Sequence, residues 1–200
     1  MLSNVGKHST VKMIHEANKA VSKLKSLKVV LKFPYIGDLN TLKINTYSDA
    51  TYTSLGDGSS QGGFIIFVGG NCGKVIPIFW QSKKLNRVTK SPLASETLAL
   101  SEAADAAFLL SKILQEVFNT STFPMIECFT DNASLTETLH TSNIVSDRRL
   151  RVDIHRLREM VAKQEISVHW IEGKEQIADC LTKRGASSNQ LLEILQQSCM

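Results

Sequence analysis

The sequence has no apolar run approaching the length of a bilayer, so no membrane-spanning helix is expected. Its first residues show no charged segment followed by an apolar stretch and a small-residue cleavage site, and no secretory leader is read there. Cysteine is sparse and scattered. Cys72, Cys128, Cys180 and Cys199 form no C-x-x-C pair. That spacing argues against a disulfide framework or a zinc site and suits reduced thiols in the cytosol or nucleus. Internal repeats and low-complexity tracts are missing. So are G-x-S-x-G, the phosphate-cradling P-loop and a G-x-G-x-x-G after a strand, which removes the chemistries those motifs carry.

What remains is 200 residues with 42% hydrophobic content, enough for one good-sized domain with a core and an extension. The formal net charge of +4 is unevenly spread. Lysines crowd the first forty-odd residues, with only Glu16 and Asp38 opposing them, and arginines cluster at Arg148, Arg149, Arg151, Arg156 and Arg158. This asymmetry permits a polyanionic partner; a solvated helix face accounts for it equally well.

Residues 10–28 carry Val11, Ile14, Ala17, Val21 and Leu24 at three- and four-residue steps, which predicts a helix. Residues 1–42 are read as an extension. Ile44–Asp49 predicts a first strand, 63–68 a second and 75–80 a third, joined by turns at 56–60 and 69–71 into an antiparallel meander. Pro77 points to an edge position for the third strand. Ser91-Pro92 reads as the cap and first residue of a long helix running to about Val117. Its many alanines suit close packing on a sheet. Strand 125–130 ends at Asp131-Asn132, and a short helix follows to about His140. A helix over roughly 147–163, a strand with Ile166, Val168 and Trp170 alternating, and a helix over 176–184 closed by Gly185 complete the domain. Ser188 is placed to cap a last helix in a tail spanning 187–200. The order predicts a mixed α/β sheet with helices on its faces.

Four carboxylates stand out. Asp49 and Asp131 end strands, and Glu96 and Asp179 sit on helices among apolar neighbours. Taken singly, Asp49 reads as a turn former, and the three further acids change that reading. An acid on a sheet-packing helix is costly unless something pairs it. Four acids at one sheet edge repel one another unless divalent cations neutralise them, and hard oxygen ligands select Mg²⁺ or Mn²⁺. Two such metals hydrolyse a phosphodiester without any nucleophilic side chain.

At this point a family resemblance becomes specific. Tyr47-Ser48-Asp49-Ala50, Gly62-Gly63-Phe64, Trp80-Gln81-Ser82-Lys83-Lys84-Leu85 and Ser95-Glu96-Thr97-Leu98-Ala99-Leu100-Ser101-Glu102-Ala103 stand in order. Thr130-Asp131-Asn132-Ala133-Ser134-Leu135, Arg149-Leu150-Arg151-Val152-Asp153-Ile154 and Lys174-Glu175-Gln176-Ile177-Ala178-Asp179-Cys180-Leu181-Thr182-Lys183 follow. From about residue 43 to 186 this series resembles the ribonuclease H domain of copia-type (Ty1/copia) retrotransposon polyproteins. Residues 1–42 resemble the segment joining reverse transcriptase to that domain.

The resemblance implies a ribonuclease H-like fold with a five-stranded mixed sheet: three antiparallel hairpin strands and two further strands, flanked by helices. It implies Asp49, Glu96, Asp131 and Asp179 as catalytic and metal-binding residues for two Mg²⁺, with Mn²⁺ as a substitute. The implied reaction is cleavage of the RNA strand of an RNA–DNA hybrid, in association with reverse transcriptase, in cytoplasmic virus-like particles or the nucleus. Asn132, Arg148, Arg149, Arg151, Lys83 and Lys84 become candidate nucleic-acid contacts. The histidine loop and basic protrusion of some cellular enzymes are missing, which implies slower product release and weaker binding. No Tyr-x-Asp-Asp polymerase motif is present. A non-catalytic nucleic-acid-binding remnant is the alternative. An integrase or exonuclease relative fits the Gly62-Gly63 hairpin and the Ser95-Glu96 helix poorly.

Overall fold

The computed structural model describes residues 10–26, 30–120, 124–142 and 145–200. Contacts divide the chain into Met1–Leu31 and Lys32–Met200. In the first unit the described structure is α1 (Val11–Ser26), none of whose residues is buried. Residues 27 and 28 of the expected helix, and Val29 of the apolar run after it, lie outside the described residues.

The second unit holds β1 (Lys43–Thr51), β2 (Gln61–Gly69), β3 (Val75–Lys84), α2 (Pro92–Phe118) and β4 (Met125–Thr130), followed by α3 (Ala133–His140), α4 (Arg148–Ala162), β5 (Ser167–Trp170), α5 (Asp179–Thr182) and α6 (Asn189–Gln197). The strands form one sheet in the order β3-β2-β1-β4-β5. β1, β2 and β3 pair antiparallel, and β4 pairs parallel with β1 and with β5. This is the mixed five-stranded α/β sheet expected from the hydrophobic pattern.

Strand alternation distributes the core to both faces of the sheet. Ile44, Phe64, Ile66 and Val68 join Leu100, Ala103, Ala104 and Ala107 of α2 and Ile154 and Leu157 of α4 in the larger cluster. Ile65 and Phe67 join Ile177 and Ile194 in a smaller one. β2 is therefore buried at every residue. The alanines of α2 let its backbone lie close to the sheet. That helix starts as its sequence predicts: Ser91 Oγ accepts from the Ala94 N–H, and Pro92 takes the first position. β3 lies at the sheet edge, and its pairing with β2 shifts register next to Pro77, which has no N–H to give.

Four expectations change. β1 runs on to Thr51, so Asp49 lies inside the strand and is fully buried rather than facing solvent at its end. Pairing with Gln61, Gly62 and Gly63 of β2 carries it there. β3 likewise reaches Lys84. The helix expected over 176–184 is instead a 3₁₀ turn at Gly173–Glu175 and the single α-helical turn of α5. Gln176 causes the break. Its amide donates to the Ser48 carbonyl at 3.0 Å and its oxygen accepts from the Ala178 N–H at 3.2 Å, while its backbone is extended. Trp170 closes the expected alternation half exposed.

Residues 32–42 of the segment read as an extension, and α6 of the tail, pack on the sheet. Leu42 belongs to the larger cluster and Ile36 packs against it. A Cβ on Gly70 would overlap the Ile36 carbonyl, so only glycine lets the 32–42 segment approach. At the other end, Ile194 of α6 enters the smaller cluster, and the Val75 N–H donates to the Ser198 carbonyl at 2.8 Å.

Gly70→Ala forces the 32–42 segment away from the sheet. The expected cost is on the order of 1–3 kcal/mol in urea unfolding, as for other overpacked contacts. Amide exchange at Leu42 should accelerate with it; unchanged exchange there would contradict the close approach.

Candidate active site

β1 and β4 stay paired as far as Tyr47 and Phe129. Two residues further along each strand direction stand Asp49 and Asp131, so matching register brings these carboxylates side by side. The Trp170 indole N–H donates to the Asp131 carbonyl at 3.1 Å, and the Ile171 N–H donates to the Thr130 carbonyl at 3.0 Å. Both contacts hold the end of β4. Asp179 opens α5. Ligand oxygens of Asp49, Asp131 and Asp179 lie within 4.8 Å of one another.

Close approach of α5 to the strands requires a gap in the side chains of β2, and Gly63 supplies it. A Cβ there would stand 2.9 Å from the Leu181 Cβ and 3.0 Å from the Thr182 Cγ2. The Ser82 hydroxyl donates to the Leu181 carbonyl at 2.5 Å, and the Gln176 bond to Ser48 anchors the preceding turn. Thr182 donates its hydroxyl to Asp49 Oδ2.

Glu96 comes from the second turn of α2 and is 8% exposed. It lies outside the group of three but within reach of the charges on Asp49 and Asp131. Burial, with those two charges added, pushes its carboxyl up to about 9. Burial likewise raises Asp49, against the Thr182 hydrogen bond and the Lys183 charge. Asp49 Oδ1 and Glu96 Oε2 are buried without a hydrogen-bond partner.

Lys183 completes the arrangement. Its ammonium stands 2.6 Å from Asp179 Oδ1 and 3.3 Å from Asp49 Oδ1, the latter too poorly aligned for a hydrogen bond. Burial pulls its pKa down, but the bond to Asp179 and the surrounding carboxylates outweigh this and raise it. Neither Lys183 nor Thr182 was singled out on sequence. The readable signal was the i, i+4 spacing of Asp179 and Lys183.

All donors in the cluster are carboxylate oxygens, and two of the buried oxygens have no hydrogen bond. Such a set fits a hard divalent cation with several waters in its shell.

The other candidates have different settings. Asn132 caps α3, its side-chain oxygen accepting from the Leu135 N–H at 2.9 Å. Arg148, Arg149 and Arg151 are exposed at the start of α4. Arg149 lines a small cleft with Arg87 and Lys90, and Arg151 Nε donates to the Val145 carbonyl at 3.0 Å. Lys83 pairs with Glu102 at 3.1 Å and Lys84 with Asp57, so both are drawn into surface ion pairs. His169 is exposed, its ring 5.6 Å from that of Phe129.

No protein-family model matches the sequence, and no curated protein matches it either. Solved structures do. The chain is similar to ribonuclease H1 from the halophilic archaeon Halobacterium salinarum, with a TM-score of 0.50 and 19% identity over 70% of this chain and 94% of that one. It is similar to LC11-RNase H1, isolated from compost by a metagenomic approach, with a TM-score of 0.51 and 14% identity over 75% and 98% of the two chains. A foamy viral protease-reverse transcriptase, solved in complex with an RNA/DNA hybrid, matches 90% of this chain with 26% of its own at 13% identity and a TM-score of 0.51. The fold is that of the ribonucleases H.

Glu96 gives a test of the site's electrostatics. In the unfolded chain its pKa returns to about 4.5. Between that value and about 9 the folded state holds the extra proton, so stability falls as pH rises through this window. With chelator present, Glu96→Gln removes that penalty. Its melting temperature should exceed the parent's by roughly 2–4 °C at pH 8.5, with the gap closing toward pH 4.5. A gap independent of pH would show that Glu96 carries no such proton.

Proposed function

We propose that this chain is a divalent-metal-dependent endonuclease that cuts the RNA strand of RNA–DNA hybrids, as the ribonuclease H of a copia-type retroelement. The observation that carries the reading is the convergence of Asp49, Asp131 and Asp179, with buried Glu96 beside them, on a ribonuclease H fold. The retroelement origin rests on the ordered motifs between residues 43 and 186.

Asp49, Glu96, Asp131 and Asp179 are the proposed ligands of two Mg²⁺, with Mn²⁺ as a substitute. Bound there, the metals supply an activated water for in-line attack on the phosphodiester and stabilise the leaving oxygen. The chain's own contribution is placement. Strand pairing and the Thr182 bond keep Asp49 in one position, Trp170 steadies the backbone of Asp131, and Gln176 with Ser82 seats the segment that bears Asp179. None of these side chains is needed as a nucleophile.

Hybrid recognition falls to backbone and 2′-hydroxyl contacts rather than base edges. Asn132, beside Asp131, is the proposed contact nearest the chemistry. Arg148, Arg149 and Arg151 offer phosphate contacts at the start of α4, and Lys83 and Lys84 do so only by giving up their ion pairs. Residues 43–186 form the proposed catalytic domain, with 187–200 as its helical tail and 1–42 as the link to a reverse transcriptase. The working compartment is where reverse transcription occurs, in cytoplasmic particles or the nucleus. Among the described residues no helix is long and apolar enough to cross a membrane.

With an end-labelled RNA strand in Mg²⁺, the hybrid should be cut internally while the same RNA in duplex RNA survives. Asp131→Asn should lower the rate beyond the roughly 100-fold that loss of an outer-shell partner costs at metal sites. Folded protein that cuts nothing in Mg²⁺ or Mn²⁺ yet still retains hybrid would establish the non-catalytic, nucleic-acid-binding reading instead.

A further inference from the structure

Both oxygens of Asp49 face a neighbouring side chain. Oδ2 accepts the Thr182 hydroxyl, and Oδ1 faces the Lys183 ammonium at 3.3 Å. The same ammonium stands 2.6 Å from Asp179 Oδ1. One side chain therefore spans two of the three clustered carboxylates, from chain segments that meet only in the folded protein. The Asp49 side chain is 1% exposed, so little water helps to neutralise it, while that of Lys183 is 38% exposed and has a path outward. A divalent cation held by Asp49, Asp131 and Asp179 would enter a site where the Lys183 ammonium already faces two of the three carboxylates.

We propose that Lys183 is a built-in counterion of this site, which a divalent cation must displace from Asp49 and Asp179 in order to bind. The inference rests on the metal-site reading above and adds a property to it. Cation uptake is an exchange of one positive charge for another, not a simple addition. Two consequences follow from the geometry. Lys183 holds the carboxylates together when divalent cation is scarce, so the fold does not depend on metal. It also raises the concentration of cation needed to load the site, because a charge-assisted contact must be broken each time. The stem of Lys183 lets the displaced ammonium swing outward while staying anchored four residues from Asp179.

Lys183→Met keeps the stem and removes the charge; Lys183→Arg keeps a charge. Lys163→Met, which breaks the surface pair with Glu159, controls for net charge. Each protein, stripped of metal, is titrated with MgCl₂ by calorimetry and by thermal melting, with no nucleic acid present. The expected result is that Lys183→Met melts lower than the parent in chelator but reaches half-maximal Mg²⁺ binding at a roughly five- to tenfold lower concentration. Lys163→Met and Lys183→Arg should stay near the parent midpoint. An unchanged or higher midpoint in Lys183→Met, or an equal drop in Lys163→Met, overturns the counterion role while leaving the metal site standing. Failure of the parent to bind Mg²⁺ saturably, with Asp131→Asn behaving identically, overturns both.

Discussion

Like charges confined to a small volume set the terms for the rest of this molecule. Three carboxylates with oxygens inside 4.8 Å, and a fourth buried beside them, would drive their segments apart in a less constrained chain. Here backbone pairing holds two of them. Asp49 sits in a strand bonded on one side to β2, and Asp131 follows directly on a strand bonded to β1 and β5. The repulsion that remains is absorbed chemically, by a proton on Glu96 and by the ammonium of Lys183.

Small residues and amides, more than the large apolar core, decide the shape of the site. Gly63 makes room for α5 to lie against the sheet. Gln176 replaces a turn of helix with a hydrogen bond to the backbone of β1, one residue ahead of Asp49. Ser82 reaches from the edge strand to the Leu181 carbonyl. The apolar clusters on either face supply the stability that allows charges to be held this way, since burying unpaired carboxyl groups costs several kcal/mol by itself.

The strands, the meander of the first three and the long helix were legible because their signals are local. Period-two alternation, Ser91-Pro92 and the turns around Gly58 and Gly70 are visible within a few residues. The four acids were legible as candidates through their contexts; the structure brings Asp49, Asp131 and Asp179 together and leaves Glu96 buried beside the group of three. The site's finer parts were not. Helical periodicity over 176–184 competes with hydrogen bonds to Ser48 and Ser82, which lie about a hundred residues away, and the distant bonds win. The burial of Asp49 follows from strand pairing beyond the apolar run that marked the strand. Lys183 was not singled out, because the carboxylates it meets come from two separate segments.

The way α5 is attached has a consequence for the timing of assembly. The acids at 49, 96, 131 and 179 are spread over most of the chain, and contacts of such long range form late in folding. During synthesis the sheet can pair through β4 before the segment bearing Asp179 has emerged. That segment is one helical turn, seated by a few side-chain bonds and a glycine-sized gap, and it brings the last acid and its lysine together. A half-made chain therefore holds Asp49, Glu96 and Asp131 without Asp179 and Lys183 beside them. The last acid and its lysine arrive together, in one late step of assembly.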